Sequence, residues 1–260
     1  MSTLESWREP TDRFYRYSRQ IMLPAIGLQG QERLSVSRVG LIGCGALGSV
    51  IASHLCRAGI GHLRIADDDV PELHNLQRQV LFDEEDVRRR IPKVEAATAH
   101  LRSINSQIQL EPWTERLDEG SLPKFAAGLD VLVDGTDNFP TRFMINRFCV
   151  HAGMPWVYGG VLATSGMTMT IVPGEGPCLR CMLRELPPKE AVPTADMAGI
   201  LNTVVATVAS VEATEVMKLM VDPGSRSRAL LVIDLWDMTF ESIPVERDPY
   251  CPDCSDESKI

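Results

Sequence analysis

Residues 39–79, VGLIGCGALGSVIASHLCRAGIGHLRIADDDVPELHNLQRQ, constrain the fold of this chain more than any other stretch. A short apolar run turns through Gly43, Cys44, Gly45, Ala46, Leu47 and Gly48 into a helical segment that ends near Gly59. A second apolar run, His62 to Ala66, then delivers Asp67. Strand, glycine turn, helix and second strand, in that order, open a Rossmann-like α/β sheet. The glycines let the backbone approach a phosphate, and the helix start offers unpaired N–H groups at the positive end of its dipole. Asp67 falls where an acid meets a ribose hydroxyl.

Taken alone, this pattern favours a nicotinamide or flavin dehydrogenase. The residues that follow argue for another ligand. Asn75, Gln77, Arg78 and Gln79 form a dense polar cluster directly after the ribose position. A dinucleotide has no evident need for an arginine there, whereas a triphosphate does. Pro92 can start a helix at Lys93, which places that cation in a first helical turn. A cation there is unfavourable for the dipole unless an anion lies close by, and the alternative is a solvated surface lysine.

Along the rest of the chain, Arg13 to Gln31 has helical spacing, with Pro24 expected to end the first helix. Gln107 to Trp113 is expected as a strand, Leu122 to Ala127 as a short helix, and Asp130 to Asp134 as a buried strand that closes in GTDN. Ligands gather at the carboxyl ends of such strands, which puts Asp137 and Asn138 where a site is expected, although Asp137 could instead cap the helix Phe139 to His151. Strands are expected at Trp156 to Leu162, Thr164 to Val172, Ala229 to Leu235 and Phe240 to Val245. Between them lie an extended crossing loop over 184–198 and a long apolar helix from Gly199 to Met220, with Asn202, Glu212, Glu215 and Lys218 on one side. The expected fold is α/β: a mostly parallel Rossmann-like sheet with helices on both faces, extended by antiparallel strands and a structural zinc site. We expect one domain over 1–260, comprising a helical arm (1–31), a nucleotide-binding core (38–162) and a crossover loop, long helix and metal-bound tail (163–260).

Lysine and arginine number 26 against 35 aspartates and glutamates, a formal net charge of -9. That balance speaks against a broad electrostatic grip on nucleic acid. No charge-free apolar run reaches about 18 residues and the first residues lack the apolar core of a signal peptide, so a cytoplasmic protein without membrane partners is expected. Seven cysteines, an odd number, suggest thiols or metal ligands rather than a disulfide framework. Cys178 with Cys181 and Cys251 with Cys254 form two CxxC pairs, the set tetrahedral zinc takes in structural sites. Redox pairs or disulfides are the alternatives, but neither CxxC opens a helix after a strand. Cys44, Cys56 and Cys149 lie in apolar surroundings and are expected as packing residues.

In order, RYSRQI, GCGALG, DDDVPELHNLQRQ, PKVEAA, DGTDNFPTRFMIN, CLRC and CPDC span residues 16–254. Together they resemble the ubiquitin-activating-like adenylyltransferases of the ThiF, MoeB and HesA group. The resemblance implies adenylation of the C-terminal glycine of a small ubiquitin-like sulfur-carrier protein ending in Gly-Gly, with ATP and magnesium. It implies nucleotide contacts from Gly43, Gly45, Gly48, Asp67, Asp69, Asn75, Arg78, Lys93 and Asn138. Arg19, Arg78, Lys93 and Asp137 would be catalytic, with Asp137 on magnesium and the four paired cysteines on zinc. It further implies a homodimer in which Arg19 reaches into the partner's site. The nucleophile would be a carboxylate with a pKa of about 3.3 to 3.7, so no general base is needed. Position and positive charge are what such an enzyme must supply.

The chain departs from the family pattern in three places. The segment DVRRRIPK before Lys93 is about two residues longer, and Arg88, Arg89 and Arg90 within it are expected to be solvated. Several members carry a cysteine in the crossing loop where Ala195 stands here, so the acyl-adenylate would pass to a separate sulfur donor or acceptor. The long helix lacks a proline and glycine found after its start in relatives. Other readings are adenylation of a short peptide or a tRNA-linked carboxylate, and a non-catalytic scaffold that binds nucleotide or carrier.

Overall fold

The structure is a computed structural model that describes residues 9, 12–188 and 195–255. Its frame is an eight-stranded sheet of order β3-β2-β1-β4-β5-β6-β7-β8. The strands are β1 (Arg38–Ile42), β2 (His62–Ala66), β3 (Gln109–Trp113), β4 (Val131–Asp134), β5 (Trp156–Leu162), β6 (Ser165–Ile171), β7 (Ala229–Asp234) and β8 (Thr239–Pro244). The first five run parallel, and β5 to β8 continue as an antiparallel meander. The helices are α1 (Ser18–Ile21), α2 (Gly27–Val36), α3 (Ala46–Ala58), α4 (Glu84–Arg89), α5 (Lys93–Ile104), α6 (Leu122–Ala126), α7 (Phe139–Ala152), α8 (Leu179–Met182), α9 (Ala195–Ala198) and α10 (Asn202–Val221).

Alternation along the strands sorts the core into two layers. Leu41, Val133 and Val157 face one way and pack with Ile51 and Leu55 of α3, Leu101 of α5 and Val205, Val208 and Val216 of α10. Their neighbours Ile42, Leu132 and Trp156 belong to the opposite cluster, with Phe125 of α6, Ile145 of α7 and Leu179 of α8. Both faces of the parallel sheet are thus covered, as its near-continuous apolar strands require. No helix among the described residues is long and apolar enough to cross a membrane.

The expected elements recur with adjusted ends. Pro24 does separate two helices, but the second runs on to Val36 and seats Leu34 in the main core, so the arm does not stop at residue 31. The expected crossing loop contains a helical turn at its end, α9, while residues 189–194 lie outside the described residues. The long helix starts at Asn202 rather than Gly199, because Gly199 takes φ +74° and Ile200 bridges to Ala163. Of its polar side, Asn202 is exposed and Lys218 half-buried, but the two glutamates do not face solvent. Glu212 and Glu215 are both buried, the latter accepting hydrogen bonds from Thr170 Oγ1 and the Ser227 N–H, each at 2.7 Å.

Candidate functional site

Strand order reverses between β1 and β4, since the chain crosses from β1 to β2 on one side and reaches β4 on the other. The crevice beyond the carboxyl ends of those strands is the place where doubly wound sheets take ligands. Gly43 follows β1, Asp67 follows β2, and Gly135 to Asn138 follow β4.

Two glycines of the turn serve packing. Gly43 has φ +90°, and a Cβ on Gly48 would come 2.0 Å from Gly43 O, so only glycine lets α3 start this close to β1. Gly135 completes the same contact from β4, a Cβ there lying 2.3 Å from Gly43 O. Gly45 is different. It is the N-cap of α3, no side chain caps it, and a Cβ there would have only Gln79 Nε2, at 3.7 Å, within reach. The first turn of α3 holds no acid and no side-chain cap, which leaves its N–H groups and positive dipole end suited to an anion.

Asp67 is fixed by this turn, its Oδ2 accepting the Cys44 N–H at 2.7 Å and its Oδ1 the Asp69 N–H at 2.9 Å. Lys93 is buried, and its Nζ lies 3.0 Å from Asp69 Oδ2 and 3.9 Å from Asp67 Oδ1. The anions that a cation in the first turn of α5 requires are therefore present. Burial pushes the Asp67 carboxyl above its ordinary range while the Lys93 ammonium draws it back. Burial also pushes the Cys44 thiol well up, with Asp67 adding to the effect, so Cys44 is no nucleophile. The longer segment before Lys93 is taken up by α4, capped by Asp83 and closed by Arg90 at φ +53°. Arg88, Arg89 and Arg90 are exposed, as expected.

Asn75 is buried in a reciprocal cap with Glu72, its Oδ1 accepting the Glu72 N–H at 3.0 Å. Its carbonyl accepts the N–H groups of Arg78 and Gln79, each at 3.0 Å, which ties the cluster into one turn. Arg78 donates from Nη1 to His74 O at 3.0 Å.

After β4, Asn138 and not Asp137 caps α7, accepting from the Thr141 N–H at 3.0 Å. Asp137 is exposed. Asp134 is committed elsewhere, accepting from Arg142 Nε at 2.9 Å and from the Thr136 N–H at 2.8 Å. Arg142 also donates to Thr136 O at 2.7 Å, so the loop that presents Asp137 is clamped from α7. Burial pushes Asp134 up and Arg142 holds it back. Of the two acids near this loop, Asp137 is the one left to meet a cation. Arg19 is exposed on α1 and donates to Met22 Sδ at 3.8 Å, and no contact among the described residues joins it to the residues above.

The four paired cysteines do come together, with all four Sγ atoms within 4.8 Å of one another. Cys178 to Cys251 is 3.5 Å and Cys181 to Cys254 is 3.4 Å. Zinc–sulfur bonds of about 2.3 Å place tetrahedral thiolates about 3.8 Å apart, so the set fits zinc. Asn146 Nδ2 stands 3.6 Å from Cys178 Sγ and 2.7 Å from Asp253 Oδ2, while the Asp248 N–H donates to Cys181 Sγ at 3.4 Å. Such N–H groups suit ligands that carry negative charge.

Sequence reasoning gave Arg142 no role, named Gln79 only as a member of the polar cluster, and placed Glu212 only on the polar side of the long helix. Arg142 was visible only as part of a motif, and burial could not be told from spacing. Glu212 is fully buried, neither carboxyl oxygen has a partner, and Gly159 makes the room for it.

Residues 17–253 match the ThiF family. The chain is 42% identical to the SAMP-activating enzyme E1 of Haloferax volcanii, over 93% of this chain and 88% of that one. It is 38% identical to the sulfur carrier protein ThiS adenylyltransferase of Bacillus subtilis, over 92% of this chain and 71% of that one. The fold superimposes on the crystal structure of E. coli MccB with ATP at a TM-score of 0.79 and 26% identity, covering 92% of this chain and 74% of that one. A glycine turn, buried lysine and clamped acid at the switch point, together with these likenesses, show that the chain belongs to the ThiF family.

Proposed function

We propose that this chain is an adenylyltransferase that activates the C-terminal glycine carboxylate of a small ubiquitin-like sulfur-carrier protein ending in Gly-Gly, using ATP. The observation that carries this is Lys93, a buried cation at the mouth of the glycine turn, held 3.9 Å from the ribose-position acid Asp67. A dehydrogenase needs no such charge; a triphosphate does. The relatives at 42% and 38% identity support a carrier over a short peptide or tRNA-linked acceptor.

The carboxylate attacks the α-phosphorus, forming an acyl–phosphate bond as pyrophosphate leaves. Gly45 and the start of α3 receive phosphate oxygens, Asp67 the ribose, and Asn75, Arg78 and Lys93 contact the phosphates, the two cations offsetting the negative charge that would repel the nucleophile. Asp69 orients Lys93, and Asn138 fixes the start of α7. Asp137 would hold magnesium, which when bound shields the phosphates. Zinc on Cys178, Cys181, Cys251 and Cys254 has no open position and is structural.

Among the described residues Arg19 meets only Met22 Sδ, away from the crevice, which supports a homodimer whose sites share it. With no cysteine between Cys181 and Cys251, the acyl-adenylate passes to a separate sulfur donor. The whole chain serves as one adenylation domain. The protein substrate has a surface to meet: Trp236, Met238 and Phe240 on the β7–β8 hairpin are 75%, 71% and 56% exposed, at the free edge of the sheet. Exposed apolar patches of this kind mark protein-binding faces.

Pyrophosphate release from ATP and Mg²⁺ is expected only with carriers ending in Gly-Gly. Release with none of a carrier panel would overturn the proposal. ATP with Mg²⁺ should raise the melting temperature while NAD leaves it unchanged, which separates adenylation from hydride transfer.

A further inference from the structure

Gln79 is the one side chain that touches the open face of Gly45, and it has nothing of its own to bind. It is 5% exposed, and its Oε1 is buried without a hydrogen-bond partner. Its backbone, by contrast, is well fixed. The Gln79 N–H donates to Asn75 O at 3.0 Å, and the next residue, Val80, donates its N–H to Ser49 Oγ in α3 at 3.2 Å. The side chain is thus pinned against the start of α3 with its Nε2 3.7 Å from the place a Gly45 Cβ would fill. Turning the amide over exchanges nitrogen and oxygen and still leaves a polar atom without a partner. A buried amide of this kind costs stability in the free protein unless something arrives to bond it.

We infer that Gln79 is a further nucleotide-binding residue, whose carboxamide N–H donates to a phosphate oxygen seated at Gly45 and the first turn of α3. The inference rests on the nucleotide reading above and adds to it a neutral donor. Lys93 and Arg78 supply charge from the mouths of α5 and of the polar turn. Gln79 supplies direction from inside the crevice. A carboxamide is suited to this: a second buried cation would need its own counter-charge, whereas an amide asks only for one acceptor. Cys44 cannot substitute, because its N–H is already taken by Asp67.

Two variants test it, each measured for unliganded melting temperature and for Mg·ATP affinity by calorimetry. Gln79→Met keeps size and removes both polar atoms. It should leave the unliganded protein as stable or more stable and weaken ATP about ten- to a hundredfold, the worth of one hydrogen bond to a charged group. Gln79→Glu should lose ATP at pH 7.5, by charge, and recover relative to wild type towards pH 5.5 as the acid regains a proton to donate. Unchanged ATP affinity in Gln79→Met, or affinity lost only in step with melting temperature, would assign Gln79 to packing and overturn the inference. If Gln79→Met does not fold, the pH dependence of Gln79→Glu decides, and its absence is equally fatal. Failure of the wild type to bind ATP would instead remove the nucleotide reading itself, and this inference with it.

Discussion

Asp134 and Asp137 stand three residues apart and have opposite surroundings. The first is fully buried and bonded to Arg142 and Thr136; the second is exposed. Asp137→Ala should abolish pyrophosphate release and leave the melting temperature close to wild type; full activity would refute the magnesium role. Asp134→Ala should cost about 3–5 kcal/mol in denaturant unfolding, because it leaves the buried Arg142 guanidinium unpaired. Glu212 gives a pH-dependent case. Burial first, then Asp134, pushes its carboxyl well above the ordinary range, with Arg142 opposing. The folded state therefore keeps a proton that the unfolded state gives up above about pH 4.3, so stability falls as pH rises from there to the folded pKa. Against Glu212→Gln, the wild type should lose up to about 1.4 kcal/mol per pH unit in that window, read by urea titration at pH 5 to 8. Equal slopes would show that Glu212 is ionised when buried. At this scale Asp67, Lys93 and Asp137 were legible because their positions follow from strand ends and a proline. The burial of Gln79, Arg142 and Glu212 was not, since it is made by elements distant in sequence.

Elements were more legible than residues. Sequence periodicity placed β2 and β5 at their observed ends, because apolar runs bounded by glycine, proline or charge leave little choice. It missed α4, a charged stretch whose helix is made by the Asp83 cap rather than by an apolar face. It also extended α10 back to Gly199, where a left-handed glycine and a bridge to Ala163 hold the chain out of the helix. The β7–β8 hairpin was expected only as two strands, Ala229 to Leu235 and Phe240 to Val245. Its exposed apolar tip could not be foreseen, since the same residues could have faced a core. If the carrier docks there, Trp236→Ala should lower kcat/KM for the carrier about tenfold or more, as for a buried aromatic anchor. The affinity for ATP should not change. Loss of ATP affinity in parallel would mean that the hairpin supports the fold instead.

In the molecule as a whole, one helix has two duties. At its start, Asn138 caps α7 and Arg142 clamps the loop that bears Asp137; one turn further, Asn146 bonds Leu179 N–H at 2.9 Å and Asp253 at 2.7 Å, between the two cysteine pairs. Arg142 and Asn146 lie one turn apart on this helix, about 6 Å along its axis, so a shift of the helix at one contact is carried to the other. We therefore predict that the tail and the crevice behave as linked equilibria, and linkage is reciprocal. Whatever factor zinc contributes to the affinity for Mg·ATP, Mg·ATP must return to the affinity for zinc. Competition with a chromogenic chelator, with and without nucleotide, should show zinc held more tightly when ATP is bound, and Cys251→Ser should weaken ATP by a matching factor. Identical zinc affinities in the two conditions would show that the two contacts on α7 are not coupled. With that linkage, scarcity of zinc would register at the crevice as scarcity of ATP, at the same concentration of nucleotide.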